Sequence, residues 1–291
     1  MQGMCIIAHK NIEQVVQLAL LLNKKFEVYI HFDKKLNIND SQLKILRRND
    51  IKYFSEINAS WGSWSIGEIA VKLFTYALRD NPKLTYLHLI SGQDWPIKNI
   101  SKIYEYFENN NTIYCSINSA NFKKSGEKLL KWQKYYFNYD KINRRSFKGK
   151  VYHRVRLVIQ DILHVNKLKK YSIKEKIYQG PNWVDLPTDV AKFCIDYLDK
   201  NKNLKKIFET GYCSDEFWVQ TIIGNTPKFN KRINNNIHRY ILWKKQNNSY
   251  PAILDEQNLT DIIKSDAFFM RKVDFKSKNL IKKLNKVNNN I

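Results

Sequence analysis

Between residues 4 and 90, short apolar runs alternate with amphipathic stretches, and that alternation restricts the chain to few folds. Met4–Ala8 is apolar and ends in His9. Ile12, Val15, Val16, Leu18, Leu20 and Leu22 follow at a mostly helical spacing. Glu27–Phe32 alternates as a strand does and gives way to Asp33-Lys34-Lys35. A helical signal covers Ser41–Leu46, and Ile51–Phe54 reads as a short strand. Ser65–Leu78 reads as a helix, with Ser65 as N-cap and Glu68 closing a capping box. Leu84–Ile90 is a buried strand, followed at once by Ser91-Gly-Gln-Asp-Trp-Pro. Strands alternating with helices predict an α/β fold with a mostly parallel sheet. Ligands collect at the carboxyl ends of such strands, where His9-Lys10, Asp33-Lys34-Lys35 and Ser91–Asp94 lie. Loops after strands are polar in any protein, so for each cluster taken singly that plain explanation stays open.

The second half is less regular. Residues 141–176 carry many cations and only two acids, Asp161 and Glu175. Within them Val155, Leu157, Val158, Ile162, Leu163 and Val165 predict a helix with a basic face. Helices are also expected over Thr188–Leu198 and Asp215–Ile223. With no internal repeat or long linker, 1–275 reads as one domain, and 276–291 as a basic amphipathic tail. Of the 291 residues 43% are hydrophobic, which excludes an intrinsically disordered chain. No apolar stretch approaches the roughly 20 residues that span a bilayer, and no signal peptide is visible. Cys5, Cys115, Cys194 and Cys213 are far apart and read as reduced, buried thiols, which sets the expectation of a cytoplasmic protein. The net charge of +23 fits nucleic acid, an anionic membrane or a phosphorylated substrate, and composition does not choose among them.

Several motifs are missing. There is no GxGxxG, no GxxxxGK[ST], no HExxH, no GxSxG and no Asp-x-Asp. If the substrate is a nucleotide sugar, side-chain cations must neutralise its diphosphate. The adjacent pair Arg271-Lys272 is a candidate, with a solvated basic turn as the plain alternative. Asp215 and Glu216 open an aromatic-rich helix; they are either first-turn acids facing the helix dipole or a general base among Phe217 and Trp218. Trp61, Trp64, Trp95, Trp183 and Trp243 stand in or beside predicted loops, where exposed rings stack on sugars or bases and buried rings pack a core.

Taken in order, these segments resemble one family. Ile6-Ile-Ala-His-Lys-Asn11, Tyr29-Ile-His-Phe-Asp33, Trp61-Gly-Ser-Trp64-Ser, Leu89-Ile-Ser-Gly-Gln-Asp94-Trp-Pro-Ile, Gly180-Pro-Asn-Trp183, Ser214-Asp-Glu216-Phe, Arg239-Tyr-Ile-Leu-Trp243 and Phe269-Met-Arg271-Lys272-Val-Asp274 resemble the core-2/I-branching β-1,6-N-acetylglucosaminyltransferases and their xylosyltransferase relatives, in the manner of bacterial members. The resemblance covers about residues 4–275. It implies a GT-A-like α/β fold and an inverting reaction with no metal or other cofactor. Glu216 is then the base, Arg271 and Lys272 bind the diphosphate, and Arg239 is an auxiliary cation there. His9, Asp33 and Trp61 fall to the nucleotide, Asp94 to the donor sugar, and Trp183 and Trp243 to the acceptor. Trp61 stands where animal branching enzymes carry a tyrosine, and an arginine present in one branch has no counterpart near Ser249–Leu254.

The function expected from these residues is transfer of a sugar, GlcNAc in first place and xylose as the alternative, from a UDP-sugar to a glycan or lipid-linked glycan. The basic segments 141–176 and 276–291 are expected to meet an anionic membrane surface at the inner face of the cell. A basic nucleic-acid-binding protein and a glycan-binding protein without catalysis are the readings from other classes; neither explains the ordered motifs with their retained Glu216, Arg271 and Lys272.

Overall fold

A computed structural model describes residues 1–124 and 126–289. Ile291, the end of the expected tail, lies outside the described residues. The predicted alternation is present: β1 (Gln2–Ala8), α1 (Ile12–Leu22), β2 (Glu27–Phe32), α2 (Asp40–Arg48), β3 (Lys52–Phe54), α3 (Ser65–Asp80) and β4 (Tyr86–Ser91) follow one another. β1 and β4 are buried along their whole length, as near-continuous apolar strands of a parallel sheet must be. β1 pairs in parallel with β2 on one side and with β4 on the other, and β2 with β3. Beyond β4 the sheet continues antiparallel through Asp185–Pro187 to Ile113–Tyr114, and ends at Ile233–Asn234. The result is a seven-stranded, mostly parallel sheet in an α/β fold, as expected.

Helices cover both faces. α1 buries Val15, Val16, Leu18, Ala19, Leu21 and Leu22 against one side, and α3 buries Ile69, Ala70, Leu73, Phe74 and Ala77 against the other. The N-terminus of α3 departs from expectation. Its cap is Trp64, without a side-chain cap hydrogen bond. The Ser65 hydroxyl instead accepts from Ser60 N (2.9 Å) and pairs with Ser63 Oγ (2.6 Å), a local alternative that serine hydroxyls readily take. The stretch expected as one helix over Asp215–Ile223 splits into a 3-10 turn, Ser214–Glu216, and a helix, Trp218–Gly224.

A second, three-stranded sheet joins Arg239–Ile241, Phe269–Arg271 and β5 (Asp94–Pro96). The C-terminal helix Lys278–Val287, expected as a tail, buries Leu280 and Leu284 in the core beneath it, and Trp95 Nε1 donates to Asn285 Oδ1 (3.1 Å). Only its other side carries the exposed Lys282, Lys283 and Lys286.

One buried charge joins the two sheets. Asp185, 1% exposed, accepts from Arg239 Nη2 at 3.1 Å and from Arg239 Nη1 at 3.2 Å. His88 Nδ1 lies 3.0 Å from the same carboxylate, and His238 Nδ1 lies at 3.7 Å. Burial opposes the Asp185 charge, but Arg239 and the two histidines hold its carboxyl well below the usual range. Asp185→Ala leaves the Arg239 guanidinium, with a fully buried side chain, without its counter-ion. The expected loss is about 3–5 kcal/mol of unfolding free energy, to be read from urea denaturation against wild type.

Candidate active site

The parallel register brings the strand ends together. Ile7 is opposite both His31 and Ser91, and Ala8 is opposite Phe32. His9, Asp33 and Gly92 therefore emerge side by side at one sheet edge. Asp33 N donates to Ala8 O (2.7 Å) and Gly92 N to Ile7 O (2.9 Å), which pins both turns to β1. The Asp33 carboxylate is buried and accepts from Lys35 N (3.0 Å).

Arg271 enters this edge from the second sheet. In the antiparallel pairing of β5 with Phe269–Arg271, Arg271 stands opposite Asp94. Arg271 Nη1 donates to Asp94 Oδ1 (2.8 Å) and to Ser91 Oγ (2.5 Å), while Asp94 Oδ2 accepts from Ser91 N (2.7 Å). The guanidinium also lies over the Trp183 ring, 4.1 Å from its centroid. Asp94 is fully buried with both oxygens engaged, and it orients Arg271. Trp183 backs the same arginine, which places it at the cation cluster.

Lys272 follows on the chain. Burial and the neighbouring charges of Arg271, Arg145 and Lys10 push its amine down to about 8. His9 is pushed down to about 4 by burial and by Arg271, Lys10 and Arg145, with Asp33 opposing. His9 is thereby neutral at pH 7. Four cations thus share one neighbourhood, and Arg145 is the one the sequence did not single out. It lies over Trp61, 4.8 Å from the ring centroid, and its only signal was the general charge of 141–176.

Arg239 does not belong to the cluster. Both terminal nitrogens are held by Asp185, with further donation to Ile237 O (2.7 Å) and Leu89 O (3.3 Å). Both terminal nitrogens serve the contact between the two sheets. The half-exposed Trp61 packs edge-on against Tyr212 at 5.9 Å. Its neighbour Gly62 has φ +85°, and an added Cβ would meet the Tyr212 ring at 2.7 Å, so that turn needs glycine.

Glu216 lies on the 3-10 turn that Trp61-Gly62 supports. Cys213 N donates to Gly62 O (2.9 Å), and Cys213 itself takes a left-handed φ of 50°, a conformation that costs an L-residue roughly 1–2 kcal/mol. The Glu216 carboxylate accepts from Gln179 Nε2 (2.8 Å), and its carbonyl accepts from Gly180 N (3.0 Å). A Cβ on Gly180 would fall 1.8 Å from Ser116 O, so no other residue fits there. Gly180 touches Glu216 and Trp183 touches Arg271. Three residues apart, their Cα atoms are separated by at most about 11 Å, so one short backbone span ties the Glu216 turn to Arg271. The adjacent Asp215 is buried; desolvation, and then the Glu216 charge, push its carboxyl well above the usual range.

Trp243 is exposed and lies 5.9 Å from the exposed Tyr250. Lys272 N donates to Ala252 O and Ala252 N to Leu242 O, so the loop that carries this aromatic pair hangs from the Lys272 backbone. Among the described residues, no three His, Cys, Asp or Glu side chains converge as a metal site.

A family-model match places the chain among the glycosyltransferases. The family model described as Core-2/I-Branching enzyme matches residues 5–263, and the chain belongs to that family. No curated protein sequence matches significantly. Among solved structures, a glycosyltransferase involved in the glycosylation of the major capsid of PBCV-1 aligns over 98% of this chain and 99% of its own, at 8% identity and a TM-score of 0.36. HddC from Yersinia pseudotuberculosis aligns over 40% of this chain and 59% of its own, at 12% identity and a TM-score of 0.27. Neither likeness is close enough to transfer a residue or a substrate.

Lys272 supplies a pH test of the cluster. A protonated amine binds an anion better than a neutral one, so pyrophosphate affinity should fall as pH rises through about 8, by at most about tenfold per unit. Lys272→Arg, which stays charged, should remove that limb in calorimetric titrations.

Proposed function

We propose that the protein is an inverting, metal-independent glycosyltransferase that uses a UDP-sugar, UDP-GlcNAc in first place, to extend or branch a glycan. The observation that supports this most is the gathering of Lys10, Arg145, Arg271 and Lys272 at one sheet edge, with Arg271 fixed by the buried Asp94. A leaving diphosphate gains negative charge as the bond from the anomeric carbon to the phosphate oxygen breaks. Fixed cations at that oxygen stabilise the transition state more than the ground state. Asp33 and Trp61 stand at the same edge, in reach of the nucleoside, with the Arg145 guanidinium backing the Trp61 ring.

Glu216 is the proposed general base. Its carboxylate takes the proton of the acceptor hydroxyl as that oxygen attacks the anomeric carbon from the face opposite the leaving UDP. The bond formed is C–O to the acceptor, the bond broken is C–O to the phosphate, and the proton stays on Glu216. Gln179 orients the carboxylate, and burial together with the Glu216 charge raises the neighbouring Asp215 carboxyl. Trp243 with Tyr250 offers a stacking surface for an acceptor sugar. The acceptor class proposed is a lipid-linked glycan at the cytoplasmic surface of an anionic membrane.

Two measurements test the chemistry. In a UDP-release assay across UDP-sugars, Glu216→Gln should lose ~10²–10⁴-fold in kcat, because Gln keeps the shape and cannot take the proton; full activity of that variant contradicts the mechanism. Turnover should persist in EDTA, and its loss there would replace the cation mechanism with a metal-dependent one.

A further inference from the structure

The helix α6 (Phe147–Ile162), which follows α4 (Ile100–Phe107) and the short α5 (Leu130–Lys134), is packed the wrong way round for a surface helix. At 100° per residue, Phe147, Val151, Val155, Val158, Ile159 and Ile162 fall on one stripe, and their exposures run from 43% to 81%. The side turned to the protein combines polar groups with Tyr152 and Leu157, which pack against the core. His153 is buried between Tyr139 and the Glu127 carboxylate, and Gln160 is buried with its amide bonded to both Tyr136 N (2.7 Å) and Tyr136 O (3.0 Å). The sequence predicted this helix with its basic face outward; the structure turns its apolar face outward as well. A stripe of this kind on a soluble domain marks an interaction surface.

We propose that α6 is an interfacial anchor that lays this stripe into the headgroup boundary of an anionic bilayer. The flanking charge selects that partner. The exposed Lys150 and Arg154 border the stripe, the exposed Lys148 lies within it, and the one acid of the helix, Asp161, is paired with Lys131. Apolar residues along one side with cations beside them are the signature of a helix lying in the membrane plane. No helix among the described residues is long and apolar enough to cross a membrane. The N-cap of α6, Ser146, directly follows Arg145, whose guanidinium lies over Trp61. An anchored α6 therefore holds the cation cluster beside the lipid surface, where a lipid-linked acceptor presents its sugar. The inference rests on the proposed membrane acceptor and adds the element that makes the contact.

The test is co-sedimentation of the full chain with vesicles of phosphatidylcholine alone and with phosphatidylglycerol added. Wild type should pellet with the anionic vesicles and retain part of that binding at high salt, since the stripe is apolar. Val158→Asp with Ile162→Asp should lower the anionic partition coefficient by at least about tenfold, with an unchanged thermal melt. Lys150→Glu with Arg154→Glu, a second pair, should show the loss chiefly at low salt. Glu216→Gln should pellet like wild type, so failure of the chemistry and failure of the anchor are read separately. The proposal is overturned if wild type stays in the supernatant, or if the Asp variant pellets as wild type does. It is also overturned if wild type is a dimer that the Asp substitutions make monomeric, which would assign the stripe to a second copy of the chain.

Discussion

The contact between Asp185 and Arg239 is the constraint on which the rest depends. A lone carboxylate on a central strand, or a lone guanidinium under a sheet, would be intolerable in so dry a place. Together, with His88 and His238 beside them, they compensate one another and fasten the three-stranded sheet to the seven-stranded one. That fastening sets where Phe269–Arg271 lies, and so where Arg271 meets Ser91 and Asp94. A charge pair in the interior thus determines the position of the cations at the surface.

At the candidate site the same economy of charge recurs with a different outcome. Asp94 neutralises Arg271 from beneath, while Lys10, Arg145 and Lys272 crowd near it and Asp33 is the acid that opposes them at His9. The crowding lowers the Lys272 amine and keeps His9 neutral. An anion of high charge relieves that repulsion when it binds. The neighbouring acids divide in a comparable way: the Asp215 carboxyl is buried and pushed up, and Glu216 is oriented by Gln179. Site and fold are linked by short backbone spans, since Gly180–Trp183 touches both the Glu216 turn and the Arg271 guanidinium.

Helix α6 shows how weakly amphipathicity specifies orientation. Its apolar residues have a helical period, and a period says nothing of which side faces inward. His153 and Gln160 can form the inner face because Glu127, Tyr136 and Tyr139 satisfy their hydrogen bonds. Those partners lie on the strand Glu127–Lys128 and in the segment after α5, and nothing within 147–162 announces them. By contrast, the C-terminal helix has similar composition and buries its leucines, because the second sheet offers an apolar surface to receive them.

The sequence by itself determined the alternation of strands and helices, the parallel core, the strand-end clusters at His9, Asp33 and Ser91–Asp94, and, through ordered motifs, the family. These are legible because strand and helix periods and βα connections are local, and burial of continuous apolar runs leaves little choice. It did not determine the partners of charged groups. Arg239 and Asp185 are far apart in the chain, as are Arg145 and Trp61, or Asp94 and Arg271. Only the tertiary structure decided which cation is locked in the core and which one faces the cleft. The physical reason is that a charge is satisfied by whatever the fold brings within a few ångströms, and sequence spacing carries no record of that distance.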